Sequence, residues 1–284
     1  MKLAIIGDPK RKSRDIPLVK EGGEHFETTY VPITDIRFDL EKEISIKYNH
    51  TGLSDFDCII PIPTSTYREL FYTLLKMLSD RILPFNHDSY LLSCNEELLF
   101  NYLNKHNVET RKFLTVASNI SLNQLLEKIK FPVIVRPPNK KVVVTNKHTL
   151  KDVISLSSIG VPVRIESIIK CKRVVGIFVV GDDTVASYEV VKQSLKLAAI
   201  EDELKDIAIK IRKLVGCDYC SLRFLDNGNW ILDKFTFSPD FTNFQKIVGK
   251  NIARYVIASL VEKMKKKERS SLFKKIEELF TRGT

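Results

Sequence analysis

The chain has no long apolar run. Nothing in its 284 residues approaches the roughly 20 consecutive apolar positions that a membrane-spanning helix needs, so a membrane protein is not expected. The N-terminus, MKLAIIGDPKRK, lacks the apolar core and small-residue cleavage site of a secretory signal; it reads as a first strand entering a basic turn. Cysteine is sparse. Five residues (Cys58, Cys94, Cys171, Cys217, Cys220) in a chain this long make no disulfide scaffold and fit a reducing cytoplasm. Cys217 and Cys220 form one CxxC with no second pair and no nearby histidine, too few ligands for a tetrahedral zinc site; buried thiols are expected. The 11 glycines form no GxGxxG, and Gly22-Gly23 stand too far from the first strand to serve, which argues against a dinucleotide site. Methionine is also scarce, with 3 residues; together with abundant Lys, Glu and Ile this hints at a thermophilic source.

What is present is ordinary for a globular chain: 44% hydrophobic and 28% charged residues. The length suggests two or three subdomains. A net charge of +10 is spread along the chain and densest in KMKKKERSSLFKK, Lys263 through Lys275. There the cations alternate with Leu272, Phe273, Ile276, Leu279 and Phe280 at helical spacing, the pattern of a solvated helix face. A basic chain can also bind nucleic acid or an acidic partner by neutralising phosphates or carboxylates, although no nucleic-acid-binding motif sharpens that reading.

Alternating strands and helices fill the first 90 residues. KLAII (2–6), ISIKY (44–48), DCIIPIP (57–63) and RILPFN (81–86) read as strands, and Tyr67, Leu70, Phe71, Leu74, Leu75 and Leu78 repeat at helical spacing. Such alternation predicts a mainly parallel sheet. A helix follows, with Ser93 and Glu96 as a capping box; then RKFLTV (111–116), a helix over 121–129, FPVIVRPP (131–138) and KVVVT (141–145). Strands are expected near VPVRIES (161–167), RVVGIFVVG (173–181) and TVASYEVV (184–191), the last two joined as a hairpin at Gly181-Asp182-Asp183. An amphipathic helix from Asp202 ends at Gly216. CDYCSLRFLDNGNWILDKFTFSPDF, Cys217 to Phe241, reads as two strands around an Asp-Asn-Gly turn. A long helix closes the chain, with Val248, Ile252, Val256, Leu260 and Met264 on its face.

This ordered set resembles the ATP-grasp superfamily, closest to RimK-type glutamate ligases and glutathione synthetases, over nearly the whole chain. SCNEELLFNYLNKHNVETRKFLTV resembles the approach to the ATP lid, FPVIVRPP the lid strand with its phosphate-binding lysine, RIESII the adenine hinge, RVVGIFVVGDDTVASYE the hairpin carrying a substrate-binding arginine, and the Cys217–Phe241 hairpin the metal-carrying one. The resemblance implies an α/β protein: a pre-ATP-grasp parallel α/β domain (1–90), then the two-subdomain ATP-grasp α+β fold, with a lid subdomain (91–168) and a C-terminal subdomain (169–284).

It also implies acyl-phosphate chemistry, in which lysines, arginines and magnesium neutralise the charge of phosphoryl transfer. This chain departs from those requirements. The first family lysine falls near Glu96, and the second on Arg136, which keeps the charge. The phosphate loop falls on Pro138-Asn139-Lys140-Lys141, without glycine, leaving Lys140 and Lys141 as its cations. Glu166 falls on the hinge glutamate, and the substrate arginine falls near Gly176. At the metal position stand Arg223 and, by one register, Lys234; by the other, Asp233. Two cations there would repel magnesium, which wants oxygen ligands. The expectation is therefore a degenerate ATP-grasp protein for which ATP is the implied cofactor and magnesium is not expected. It would bind a nucleotide or other anionic ligand at Arg136, Lys140, Lys141, Glu166, Arg223 and Lys234, or act beside an active relative or a second copy of itself. The alternatives are an active ATP-dependent carboxylate–amine ligase with Asp233 at its metal, and a basic interaction module for nucleic acid or protein.

Overall fold

The computed structural model describes residues 1–39, 45–116, 122–124, 126–137, 140–156, 162–192 and 194–281, with side chains to residue 270. The chain runs β1 (Lys2–Gly7), α1 (Lys12–Gly23), β2 (Glu27–Pro32), β3 (Ile36–Asp39), β4 (Ser45–Tyr48), β5 (Thr51–Gly52), β6 (Cys58–Pro61), α2 (Arg68–Met77), α3 (His87–Cys94) and α4 (Glu96–Lys105). It continues through β7 (Phe113–Val116), β8 (Val133–Arg136), β9 (Val142–Val144), α5 (Lys147–Ser155), β10 (Val163–Ser167), β11 (Arg173–Val180), β12 (Asp183–Val191) and β13 (Ser194–Leu197). Then follow α6 (Asp202–Val215), β14 (Tyr219–Asp226), β15 (Trp230–Thr236), α7 (Phe241–Val248) and α8 (Ile252–Thr281).

The residues divide into two units: 1–108 with 174–224 and 234–284, and 109–173 with 225–233. The first unit contains a parallel sheet ordered β2-β1-β6, a small antiparallel sheet β3-β4-β5, and most of a five-stranded sheet ordered β13-β12-β11-β14-β15. β1 is central and buried along nearly its whole length, as a parallel strand covered on both faces should be. Its core gathers Leu3 and Ile5 from β1, Ile60 from β6, Phe178 from β11, and Ile252, Val256, Ile257, Leu260 and Met264 from α8. The apolar spacing of the last helix is thus an inward stripe. Its continuation through Leu272, Phe273, Ile276, Leu279 and Phe280 lies outside the residues whose side chains are described. The second unit is an antiparallel sheet ordered β7-β10-β8-β9, with Val116, Val133, Val135, Val144, Val163 and Ile165 packed with Leu150 and Ile154 of α5.

Local signals explain most boundaries. Val180 pairs with Asp183 across the Gly181-Asp182 turn, and α6 ends where Gly216 turns left-handed at φ +75, a conformation glycine adopts without cost. Two expectations need correction. RILPFN makes only isolated bridges, Cys58 with Ile82 and Phe85 with Cys217, because Pro84 has no N–H for a ladder. The cap of α4 is Asn95, not Ser93: Asn95 Oδ1 accepts from Leu98 N at 3.0 Å, while Ser93 donates to Tyr90 O within α3. No helix among the described residues is long and apolar enough to cross a membrane.

Asn95→Ala therefore lowers stability by about 1 kcal/mol, the usual worth of an N-cap, whereas Ser93→Ala stays within about 0.5 kcal/mol; urea unfolding of both variants measures the difference.

Candidate functional site

In the second unit, the alternation of VRIES sends Val163 and Ile165 into the core and Arg164 and Glu166 to the opposite face. The register fixes their neighbours. Arg164 lies opposite Arg136 on β8, and Glu166 lies opposite Phe113 on β7, two residues from Arg111. One face of the sheet thus gathers three arginines around one carboxylate. Glu166 is fully buried, 0% exposed. Its Oε1 accepts from Arg136 Nε at 2.7 Å and lies 2.7 Å from Arg164 Nε. Its Oε2 accepts from Arg111 Nη1 at 2.6 Å. Arg111 also pairs through Nη2 with Asp233, itself only 5% exposed, and the Arg164 guanidinium stacks 3.8 Å from the Phe113 ring centre. Burial pushes the Glu166 carboxyl up, but the Arg136 hydrogen bond, the Arg164 charge and both contributions of Arg111 outweigh it and hold it below its ordinary value.

Arg136 and Glu166, which the family resemblance assigns to phosphate and hinge, are therefore bonded to each other. Arg111 and Arg164 were missed from the sequence, although the charged–apolar alternation of VRIES marks Arg164. Lys140 and Lys141 are exposed, and Pro138 and Asn139 lie outside the described residues.

In the first unit, a cavity of about 300 Å³ is lined by Arg223 of β14, Lys234 and Thr236 of β15, Tyr188 of β12, and Arg11, Arg14 and Asp240 among others. Strand alternation separates Lys234, at this cavity, from Asp233, which pairs with Arg111. Asp240 is already engaged: it lies 3.4 Å from Arg14 and caps α7 by accepting from Asn243 N. Among the described residues no group of three or more His, Cys, Asp or Glu converges in a way that could hold a metal ion.

Gly176 has a local explanation. It pairs with Tyr188 across β11 and β12, and a Cβ there would come within 2.1 Å of the Tyr188 ring. The ring covers the glycine and packs edge-on against Phe244, 5.1 Å between centres. No side chain, least of all an arginine, fits at 176 while Tyr188 keeps that place.

The parallel sheet followed by antiparallel sheets matches the fold of solved ATP-grasp ligases. The RimK-like ATP-grasp domain model matches residues 95–260, and the chain belongs to that family. Among relatives, the α-aminoadipate–LysW ligase LysX of Sulfolobus acidocaldarius is 24% identical over 253 residues, 80% of this chain and 91% of the relative. The ATP-grasp ligase PsnB, solved with minimal precursor, Mg and ADP, superposes with a TM-score of 0.71 at 12% identity, covering 93% of this chain and 98% of that one. The D-alanine–D-alanine ligase of Bacillus anthracis, solved with ATP, gives 0.68 at 16% identity over 92% and 96%. At these identities the two structures speak for the fold alone.

Two outcomes follow. Glu166→Gln leaves three partly buried arginines without their shared counter-charge and costs about 3 kcal/mol, read by thermal unfolding and by hydrogen exchange over Val163–Ser167. Because the folded-state value lies below the ordinary 4.5, this stabilisation is complete above that pH and is lost as pH falls through the lowered value; Glu166→Gln flattens the acid limb of the stability profile. Gly176→Ala destabilises by about 1–3 kcal/mol through overpacking, and the double variant Gly176→Ala, Tyr188→Ala loses less than the two single changes summed.

Proposed function

We propose that this RimK-like ATP-grasp protein binds a phosphate-bearing or otherwise anionic ligand, with a nucleotide as the leading case, through fixed cations, and does not run ordinary magnesium-dependent carboxylate–amine ligation. The observation that carries this reading is the cavity where Arg223 and Lys234 stand with Arg11 and Arg14. Fixed guanidinium and ammonium groups supply the positive charge that magnesium would otherwise bring to phosphate. The adjacent carboxylate, Asp233, is held by Arg111 and is not available as a metal ligand without breaking a buried pair. In the second unit Arg136 keeps the charge of the family lysine, with Lys140 and Lys141 exposed beyond it. An active ATP-grasp relative or a second copy of the chain is the partner this reading invites.

The family itself supports a second reading. LysX is by name an α-aminoadipate–LysW ligase, and an active carboxylate–amine ligase with an atypical metal site would turn over ATP in the presence of an amino acid and a second carboxylate- or amine-bearing substrate. Calorimetric titration with ATP and ADP, with and without magnesium, separates the two. The binding reading expects affinity that is unchanged within about threefold by magnesium and falls at least about tenfold in Arg223→Ala, Lys234→Ala, the loss of one or two charge-assisted contacts. Affinity that requires magnesium, together with amino-acid-dependent ADP release, would establish the ligase instead.

A further inference from the structure

Helix α1 buries Asp15, Leu18 and Gly22, positions three and four residues apart on one face. Folding therefore drives a carboxyl into the interior of the first unit. It arrives beyond the carboxyl ends of β1 and β6, beside Asp8 and Thr64. In the order β2-β1-β6 the chain reverses direction of winding at β1, the place where open α/β sheets receive ligands. Asp15 is 2% and Thr64 8% exposed. Asp15 Oδ2 and Thr64 Oγ1 are enclosed and meet no hydrogen-bond partner among the described residues. Both side chains border a cavity of about 10 Å³, room for roughly one water-sized group. Leaving two enclosed oxygens unmatched is costly, and their position explains what they can meet. The small cavity shares Arg11, Arg14, Ser238 and Pro239 with the basic cavity.

We propose that the small cavity is the inner end of the basic one, and that Asp15 acts there as a neutral hydrogen-bond donor, so that an anion held between Arg11 and Arg14 is taken up together with a proton. This rests on the anion-binding reading of the basic cavity. The charged and titratable groups around Asp15 are Arg11, Asp240, Arg14 and Asp8, with Tyr30 and Tyr219 also coupled to it. Burial, with Asp240 and Asp8 beside it, prevails over Arg11 and Arg14 and pushes the carboxyl up to about 7. A second negative charge at Arg11 and Arg14 raises it further, because like charges disfavour ionisation. The carboxyl then keeps its proton and donates it to the ligand or to a bridging water, with the Thr64 hydroxyl as a second donor. The proton comes from solvent and returns there when the anion leaves. Once Asp15 is ionised, it repels the anion.

Sulfate is the probe, because its own charge does not change near neutrality. Calorimetry on the full chain near pH 6 and near pH 8.5 is expected to show affinity falling by up to about 30-fold, the limit for one group ionising at about 7. Near pH 7 about half a proton is taken up per sulfate, read from two buffers of different ionisation enthalpy. Asp15→Asn removes the proton uptake and makes the two affinities equal. Sulfate binding to the wild-type chain with equal affinity at both pH values and no proton uptake overturns this proposal while leaving the anion site standing. No sulfate binding at either pH overturns both. If Asp15→Asn fails to fold, proton uptake by the wild-type chain decides alone.

Discussion

A carboxylate that stays ionised when cut off from water needs cations or hydrogen-bond donors around it, and the second unit is organised around that requirement. Glu166 has no exposure, yet it is ionised and held below its ordinary pKa. Arg111, Arg136 and Arg164 come from three different strands or their approaches, so the ion pairs tie β7, β8 and β10 together across the sheet. The other face of the same strands carries the apolar core. A slip of one residue in any strand would exchange these faces, placing arginines in the core and valines around a buried charge. The charged cluster therefore fixes register as firmly as the core does. It also limits what Arg136 and Glu166 can offer a ligand, since each is already the other's partner.

The same alternation divides the two neighbouring charges of the last hairpin between two environments. On β15 neighbouring side chains leave by opposite faces. Asp233 joins the arginine cluster, and Lys234 lines the basic cavity with Arg223. The carboxylate present in the sequence is thus committed to structure, and the face at the cavity carries positive charge. A linear reading of Asp-Lys leaves two registers open. The distinction lies in which partner each side chain meets, and Arg111 is 122 positions away from Asp233 in a chain whose numbering gives no hint of the contact.

Much of the fold was legible because it is written in local rules. The Gly181-Asp182-Asp183 hairpin, the amphipathic helix ending at Gly216 and the inward stripe of α8 each follow from spacing and turn residues. β2 was not legible: of ETTYVP only Val31 is buried, so it carries no clear alternation, and it is a strand because β1 offers it a parallel partner. RILPFN looked like a strand for its apolar content and is not one, because proline interrupts the ladder. In the candidate site, Arg136, Glu166, Arg223 and Lys234 could be named from the sequence as charges. The sequence could not pair them and had no signal for Arg111; the burial of Asp15 is foreshadowed by Leu18 and Val19 three and four residues on, but Arg11, Lys12 and Arg14 before it read as a solvated turn.

Tyr188 lying over Gly176 also ties the two positions together in heredity. A change that placed a larger side chain at 176 would have to wait for the tyrosine to shrink, opening a hole beside Phe244, or else drive a side chain into a ring 2.1 Å away. The pair can therefore vary together far more easily than either residue can vary alone.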